Sequence, residues 1–238
     1  MKKFIIIVIW IGLWFVLSLL IHNPVLFAAP SDTLKALVTF ITEESFWISV
    51  LKTFVLVIAG LLTASVTAAA IAFFSYRYNF FREFIRPFIQ FMKSTPVACF
   101  IVLFLIWFGS GKIAFYAVIT AVMPQIYVAI MEGIGAADHK LLEVAEIYKM
   151  SSMKKFRYAI FPTLKGYLIS AYEIVLGMSF KSGVAAEVVG QSVNTIGNGI
   201  YRSKIYLDTA GLFAWSFVII LISYLFEKVC IILIRRMK

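Results

Sequence analysis

The sequence predicts an all-α membrane protein. It reads as one domain over residues 1–238, with six transmembrane helices, both termini cytoplasmic, and a short helix on the cytoplasmic face between the fourth and fifth spans. Three observations predict this. The chain is 62% hydrophobic and 14% charged, with mean hydropathy +0.96, an apolar excess that a water-soluble core would not need. The apolar residues fall into runs of about 20, the length that crosses the hydrocarbon core as a helix. With six spans, sixteen of the 22 Lys and Arg lie on the side of the termini and six on the other. The positive-inside rule then puts both ends in the cytoplasm, whereas five spans would strand one terminus on the wrong side. A formal net charge of +10 would suggest nucleic acid in a soluble protein; spaced between apolar runs, it orients the chain in a bilayer.

The first span, 4–21, follows Lys2 and Lys3. Its length exceeds a signal-peptide core, and Pro30 stands where a cleavage site after Ala28-Ala29 would be wanted, so an uncleaved helix is expected. Asn23-Pro24 ends it, and 31–44, with a capping-style Ser31-Asp32 start, reads as an amphipathic segment on the outer surface. The second span, 49–75, carries small residues from Thr63 to Ala70 that permit close helix approach. Arg77, Arg82 and Arg86 return the chain to the basic side. The third span, 87–108, has Lys93 near its entry and Pro96 as a potential break. Gly109-Ser110-Gly111-Lys112 is not a phosphate loop, because Ile106 and Ile113 stand where Gly and Ser or Thr are required. The fourth span is 113–132, the fifth 156–184 and the sixth 209–234, with a glycine-bearing loop from Glu187 to Asp208. Tyr76, Tyr78, Trp107, Tyr201 and Tyr206 fall near span ends, as interface anchors do.

Asp138 to Pro162 is the longest well-charged stretch. Leu141, Val144 or Ala145, and Tyr148 recur at helical spacing, so 138–150 reads as an amphipathic helix N-capped by Asp138. Lys140–Glu143 and Glu146–Lys149 are candidate i,i+3 pairs. Ser151 and Ser152 interrupt it, and Pro162 bends the helix that follows.

No nucleophile with a His partner, HExxH or paired carboxylates occurs. His22 and His139 belong to no ligand cluster, and Cys99 and Cys230, in apolar runs and in no CxxC, read as free buried thiols. In the fifth span, Gly166, Ser170, Glu173, Gly177 and Lys181 share one small or polar face. An ionisable group at the depth of Glu173 costs about 2.5–3.5 kcal/mol without compensation. Glu173 therefore either pairs with a cation or with hydroxyls of the second span to fix packing, or lines a solute path. Lys181 either attracts an anion or snorkels.

The 138–162 stretch resembles the signature loop of permease subunits in ATP-binding-cassette importers. Glu143, Val144 and Ala145 occupy its Glu-Ala-Ala positions, Pro162 falls at the expected distance, and Lys149 replaces the expected glycine. Trp107-Phe108-Gly109, Pro96, and Ala186-Glu187 followed by a glycine-bearing loop and Asp208-Thr209 are similar to the sulfonate, taurine and nitrate branch, so that the likeness runs over 49–234. The resemblance implies a non-enzymatic, multi-pass subunit of a bacterial-type cell membrane, without cofactor of its own, ATP and Mg belonging to the partner. It further implies a cytoplasmic ATPase dimer contacted by Glu143, Val144, Ala145, Lys149, Met150 and Ser151, a second permease copy, an extracellular or periplasmic solute-binding protein, and no nucleic acid. Ser170, Glu173, Gly177 and Lys181 would face the translocation path of a small sulfonate, nitrate, taurine or thiamine-precursor-like solute. An alternative class is the membrane-embedded solute-binding subunit of vitamin transporters, which also has six spans but lacks such a loop.

Overall fold

The computed structural model describes residues 2–236. In order, the helices are α1 (Lys2–Ile21), α2 (Pro30–Thr42), α3 (Glu44–Arg77), α4 (Asn79–Ser94), α5 (Val97–Phe108), α6 (Ile113–Gly135), α7 (His139–Ile147), α8 (Ser152–Lys155), α9 (Phe161–Gly190), α10 (Ile196–Ile205) and α11 (Thr209–Arg236), and a π-helical turn, Phe156–Ile160, joins α8 to α9. α1, α3, α6, α9 with its leading turns, and α11 are each long and apolar enough to cross a membrane. α6 is central: 61% of its apolar window is buried, against 28% or less in the other four, and none in α1.

Contacts fix the helix directions. Gly60 of α3 lies beside Phe115 and Val118, and the Tyr127 hydroxyl donates to Ser75 Oγ at 3.1 Å, so α3 and α6 run parallel. Gly133 meets Leu164, and Gly183 meets Val118 and Ala114, so α9 runs antiparallel to both. Because α6 starts level with the middle of α3 and descends with it, α4 and α5 must carry the chain back across. They do so as one broken span, bent by 101° at Thr95-Pro96. The expected span over 87–108, with Pro96 as its potential break, is thus divided into α4, which begins at Asn79, and a 12-residue α5. At roughly 18 Å, α5 alone is too short for a bilayer of about 30 Å. Pro96 causes the break, since it has no N–H to donate and forces Thr95 out of the helical region, to ψ 128°.

Local chemistry explains the rest. α2 starts with Pro30 at its first turn and Ala29 as N-cap, two or three residues before the expected Ser31-Asp32 cap. In α3, Thr63, Ser65 and Thr67 donate back to the carbonyls of Ala59, Leu61 and Thr63, which satisfies their hydroxyls inside an apolar medium. Gly109 adopts φ 69° and ψ −173°, a region essentially reserved for glycine, and turns α5 toward α6. Cys99 is exposed and Cys230 half-buried, not buried as the apolar runs suggested; outward-facing positions of a membrane helix are apolar without being covered by protein. α1 is held by the Trp14 indole N–H donating to the Ala28 carbonyl at 3.0 Å and by edge contact of Trp14 with Phe213, so the ends of α1 and α11 near α10 lie together.

Candidate functional site

Two surfaces stand out, one at the α7 end of the bundle and one along α9. In α7, the Asp138 carboxylate accepts the Lys140 N–H at 2.9 Å, the N-cap read from sequence. The helix ends in a Schellman motif: Lys149 N–H bonds the Glu146 carbonyl and Met150 N–H the Ala145 carbonyl, both at 2.9 Å. The motif requires a left-handed residue, and Lys149 supplies it at φ 49°. Lysine thus keeps the backbone path that glycine would take, at a conformational cost of about 1–2 kcal/mol. Lys149→Gly is therefore expected to raise thermal stability by about 1 kcal/mol without loss of transport, checked by melting of the purified protein and an uptake assay.

The charge pairs differ from expectation. Glu146 bonds Lys155 across the turn at 2.8 Å instead of Lys149, and Lys140 and Glu143 make no ion pair among the described residues. The turn swings Lys149 away, while α8 brings Lys155 back beneath α7. The hydrogen bond from Lys155 holds the Glu146 carboxyl below the usual carboxylate range. A lowered folded pKa means that the tie is present at neutral pH and is lost on the acid side as pH falls through that lowered value.

Of the six residues expected to meet an ATPase, Glu143, Val144, Lys149 and Ser151 are exposed and Met150 is half-exposed. Ala145 is buried, because α7 packs on the π-helical turn and a methyl side chain lets it seat there. The outward ridge is Leu141, Val144, Ile147 and Tyr148, the last two each 77% exposed. Ile147 was not singled out from the sequence, although it lies three residues after Val144 on the same face. Below α8, the Phe161 N–H bonds the Phe156 carbonyl five residues back. This wider π turn stands immediately before Pro162, whose ring would otherwise press on the preceding turn. The proline is absorbed into a continuous rod from Ser152 to Gly190.

Along α9, Gly166, Ser170, Glu173 and Lys181 are exposed and Gly177 is half-buried, all on one face. Glu173 lines a cavity of about 390 Å³ with Tyr224, Glu227 and Lys228 of α11. A Cβ on Gly177 would stand 3.7 Å from Glu227 Oε2, so a second intramembrane carboxylate joins this face. Sequence reading missed Glu227; its signal is a lone acid inside the sixth apolar run. The Tyr172 hydroxyl, beside Glu173 in sequence, donates to Ser65 Oγ of α3 at 2.9 Å.

At the other end, Glu187 is fully buried. Its Oε2 accepts the Thr53 hydroxyl at 2.9 Å and the Gly197 N–H at 3.1 Å, and Thr53 Oγ1 in turn accepts the Ile196 N–H at 3.0 Å. This one side chain joins α3, α9 and α10. Among the described residues no group of three or more His, Cys, Asp or Glu could hold a metal ion.

A helical bundle with a short amphipathic rod at one end and a polar face along a spanning helix fits a membrane permease subunit. The comparisons with known proteins agree. The chain belongs to the family of binding-protein-dependent transport system inner membrane components, whose model matches residues 60–238. It is 23% identical over 206 residues to a protein named a probable ABC transporter permease of Brucella melitensis, covering 85% of this chain and 82% of the relative. It is 20% identical over 220 residues to the taurine transport system permease protein TauC of Escherichia coli, covering 90% and 80%. A crystal structure described as an amino acid ABC transporter with histidines superposes with a TM-score of 0.60 at 18% identity, over 93% of this chain and 98% of the other, and shares the fold. The chain is accordingly a multi-pass inner-membrane permease component of an importer for small solutes, not itself an enzyme, with ATP hydrolysed on a separate subunit.

Proposed function

We propose that α7 is the coupling helix, seated in a groove of a cytoplasmic ATPase dimer, and that its motion is passed to α9 to switch the bundle between outward- and inward-open states. The observation that carries this is the exposed ridge Leu141, Val144, Ile147 and Tyr148 on a helix locked to the α8–α9 rod by its Schellman turn and the Glu146–Lys155 pair. Four apolar side chains at helical spacing facing away from their own chain fit the recognition of a helix by a groove. Glu143, Lys149, Met150 and Ser151 border the ridge, while Ala145 acts by seating α7. The uneven spread of Lys and Arg supports cytoplasmic termini and a cytoplasmic α7.

The α9 face of Ser170, Glu173, Gly177 and Lys181, with Glu227 beside it, lines the path between two permease copies, because a polar strip exposed at membrane depth needs water or protein against it. The solute is a small sulfonate, nitrate, taurine or thiamine-precursor-like molecule delivered by an external binding protein; the naming of one relative for taurine transport supports the sulfonate end of this range. In the test, Val144→Asp with Ile147→Asp is expected to cut co-purification of the ATPase at least tenfold, since burying two charges in an apolar groove costs several kcal/mol. The permease itself should melt as before, because both sites are exposed. Undiminished co-purification and uptake would remove α7 as the coupling element.

A further inference from the structure

α4 has an unusual arrangement of charge. Its inward stripe is Ile85, Ile89 and Met92. At about 100° per residue, Arg82, Lys93 and Arg86 fall at about 0°, 20° and 40° around the axis, and Ile89 at about −20°. The cations therefore border the buried stripe while their side chains stay exposed. Between this strip and α6 lies a cavity of about 460 Å³, within the range of small-molecule sites. Its far wall is Tyr127, Val128, Met131 and Glu132, fixed by the Tyr127–Ser75 hydrogen bond. Arg86 makes a loose 3.7 Å pair with exposed Glu83, and Arg82 and Lys93 make no ion pair among the described residues. The helix dipole accounts for Lys93 in the last turn but opposes Arg82, which sits in the first turn at the positive end.

We propose that this cavity binds a small, singly charged oxyanion of the sulfonate or carboxylate class at the α7 end of the bundle. Arg82 and Arg86 present planar guanidinium forks suited to two oxygens of one acid group, and Lys93 adds a point charge. Glu132 on the facing wall, with Glu83 also lining the cavity, repels a second negative charge and so selects monoanions. The purpose of the site rests on the permease reading: a solute anion leaving the path meets these cations before the cytoplasm, and anion held there from within slows further release. Binding itself requires no ATPase.

The test uses the full-length chain in lipid nanodiscs, with methanesulfonate as probe and tetramethylammonium as cationic control, read by saturation-transfer NMR. Methanesulfonate should bind and tetramethylammonium should not. Arg82→Gln with Lys93→Gln should weaken binding roughly tenfold, the worth of one charge-assisted hydrogen bond. Glu132→Gln should tighten it about threefold by removing a repelling charge. Arg157→Gln, outside the cavity, should change nothing. Absent methanesulfonate binding, an unresponsive Glu132→Gln variant, or an Arg157→Gln loss equal to that of the double variant overturns the site; the last outcome means diffuse surface potential only. Should the double variant fail to fold, Glu132→Gln still decides. Failed ATPase co-purification, measured separately, speaks against the coupling role of α7 and leaves this site standing.

Discussion

Glu187→Leu is expected to unseat α10 from α3 and α9, while Glu187→Gln is expected to leave the bundle intact. The difference follows from what each side chain can accept. Leucine leaves the buried Gly197 N–H without an acceptor and deprives the Thr53 hydroxyl of its own. At about 1–3 kcal/mol for each orphaned donor, the loss is about 2–6 kcal/mol. A glutamine carbonyl accepts both bonds from the same position; its NH₂ stands where Oε1 has no hydrogen-bond partner, and the cost of that unpaired donor is offset by the charge the amide removes. The amide also avoids burying a charge that has no ion-pair partner among the described residues. Melting of the purified protein distinguishes the two: Glu187→Leu should lower Tm by at least about 5 °C, and Glu187→Gln by no more than about 2 °C. Equal damage from both would mean that the charge, and not the hydrogen bonding, holds α10. Gly197→Ala should resemble Glu187→Leu, because a methyl there would stand 2.7 Å from the Val188 nitrogen and 2.8 Å from the Glu187 carbonyl carbon.

This node also marks the limit of what the amino-acid sequence makes legible. Apolar run length suffices for five of the spans, because lipid selects for it directly. The Asp138 cap and the helical recurrence of Leu141, Val144 and Tyr148 follow from local spacing, whereas Ile147 was not singled out. Glu187 was visible as part of a family-like outline, but its partners Thr53 and Gly197 are 134 and 10 residues away, and nothing local signals that they converge. The bend in the third span was half legible. Pro96 announces a break, yet the 101° angle depends on α3 and α6 running parallel, which is a tertiary fact. Likewise, Lys149 looks like a departure from a glycine position until the Schellman bonds place it at φ 49°. Where a backbone bond pattern is set by neighbouring carbonyls, residue identity is an imperfect guide to it.

Gly60→Ala and Gly183→Ala are expected to be comparably damaging alone and to differ in whether they can be rescued. Val118 of α6 sits between these two glycines, one on α3 and one on α9, so that the central interface closes around a single side chain. A methyl on Gly183 would meet Val57 Cγ2 at 2.7 Å and Val118 Cγ2 at 3.3 Å, both ends of side chains. A methyl on Gly60 would meet the Phe115 carbonyl oxygen at 2.8 Å and Val118 Cβ at 2.9 Å, atoms that remain whatever side chain stands there, glycine at 118 excepted. Each substitution should cost about 1–3 kcal/mol through overpacking. Val57→Ala deletes the atom in the way and should recover part of the Gly183→Ala loss, with a coupling of at least about 0.5 kcal/mol in a double-mutant cycle. Val118→Ala keeps its Cβ and should recover little of the Gly60→Ala loss, because α3 and α6 must still move apart to clear the carbonyl. If Val118→Ala rescues Gly60→Ala as fully as Val57→Ala rescues Gly183→Ala, the close backbone approach of α3 to α6 is not what sets their spacing. If it does not, the two glycines divide the work. Gly60 holds α3 rigidly to the central helix, whereas Gly183 leaves α9, the helix tied to α7, seated against side chains that can repack as it moves.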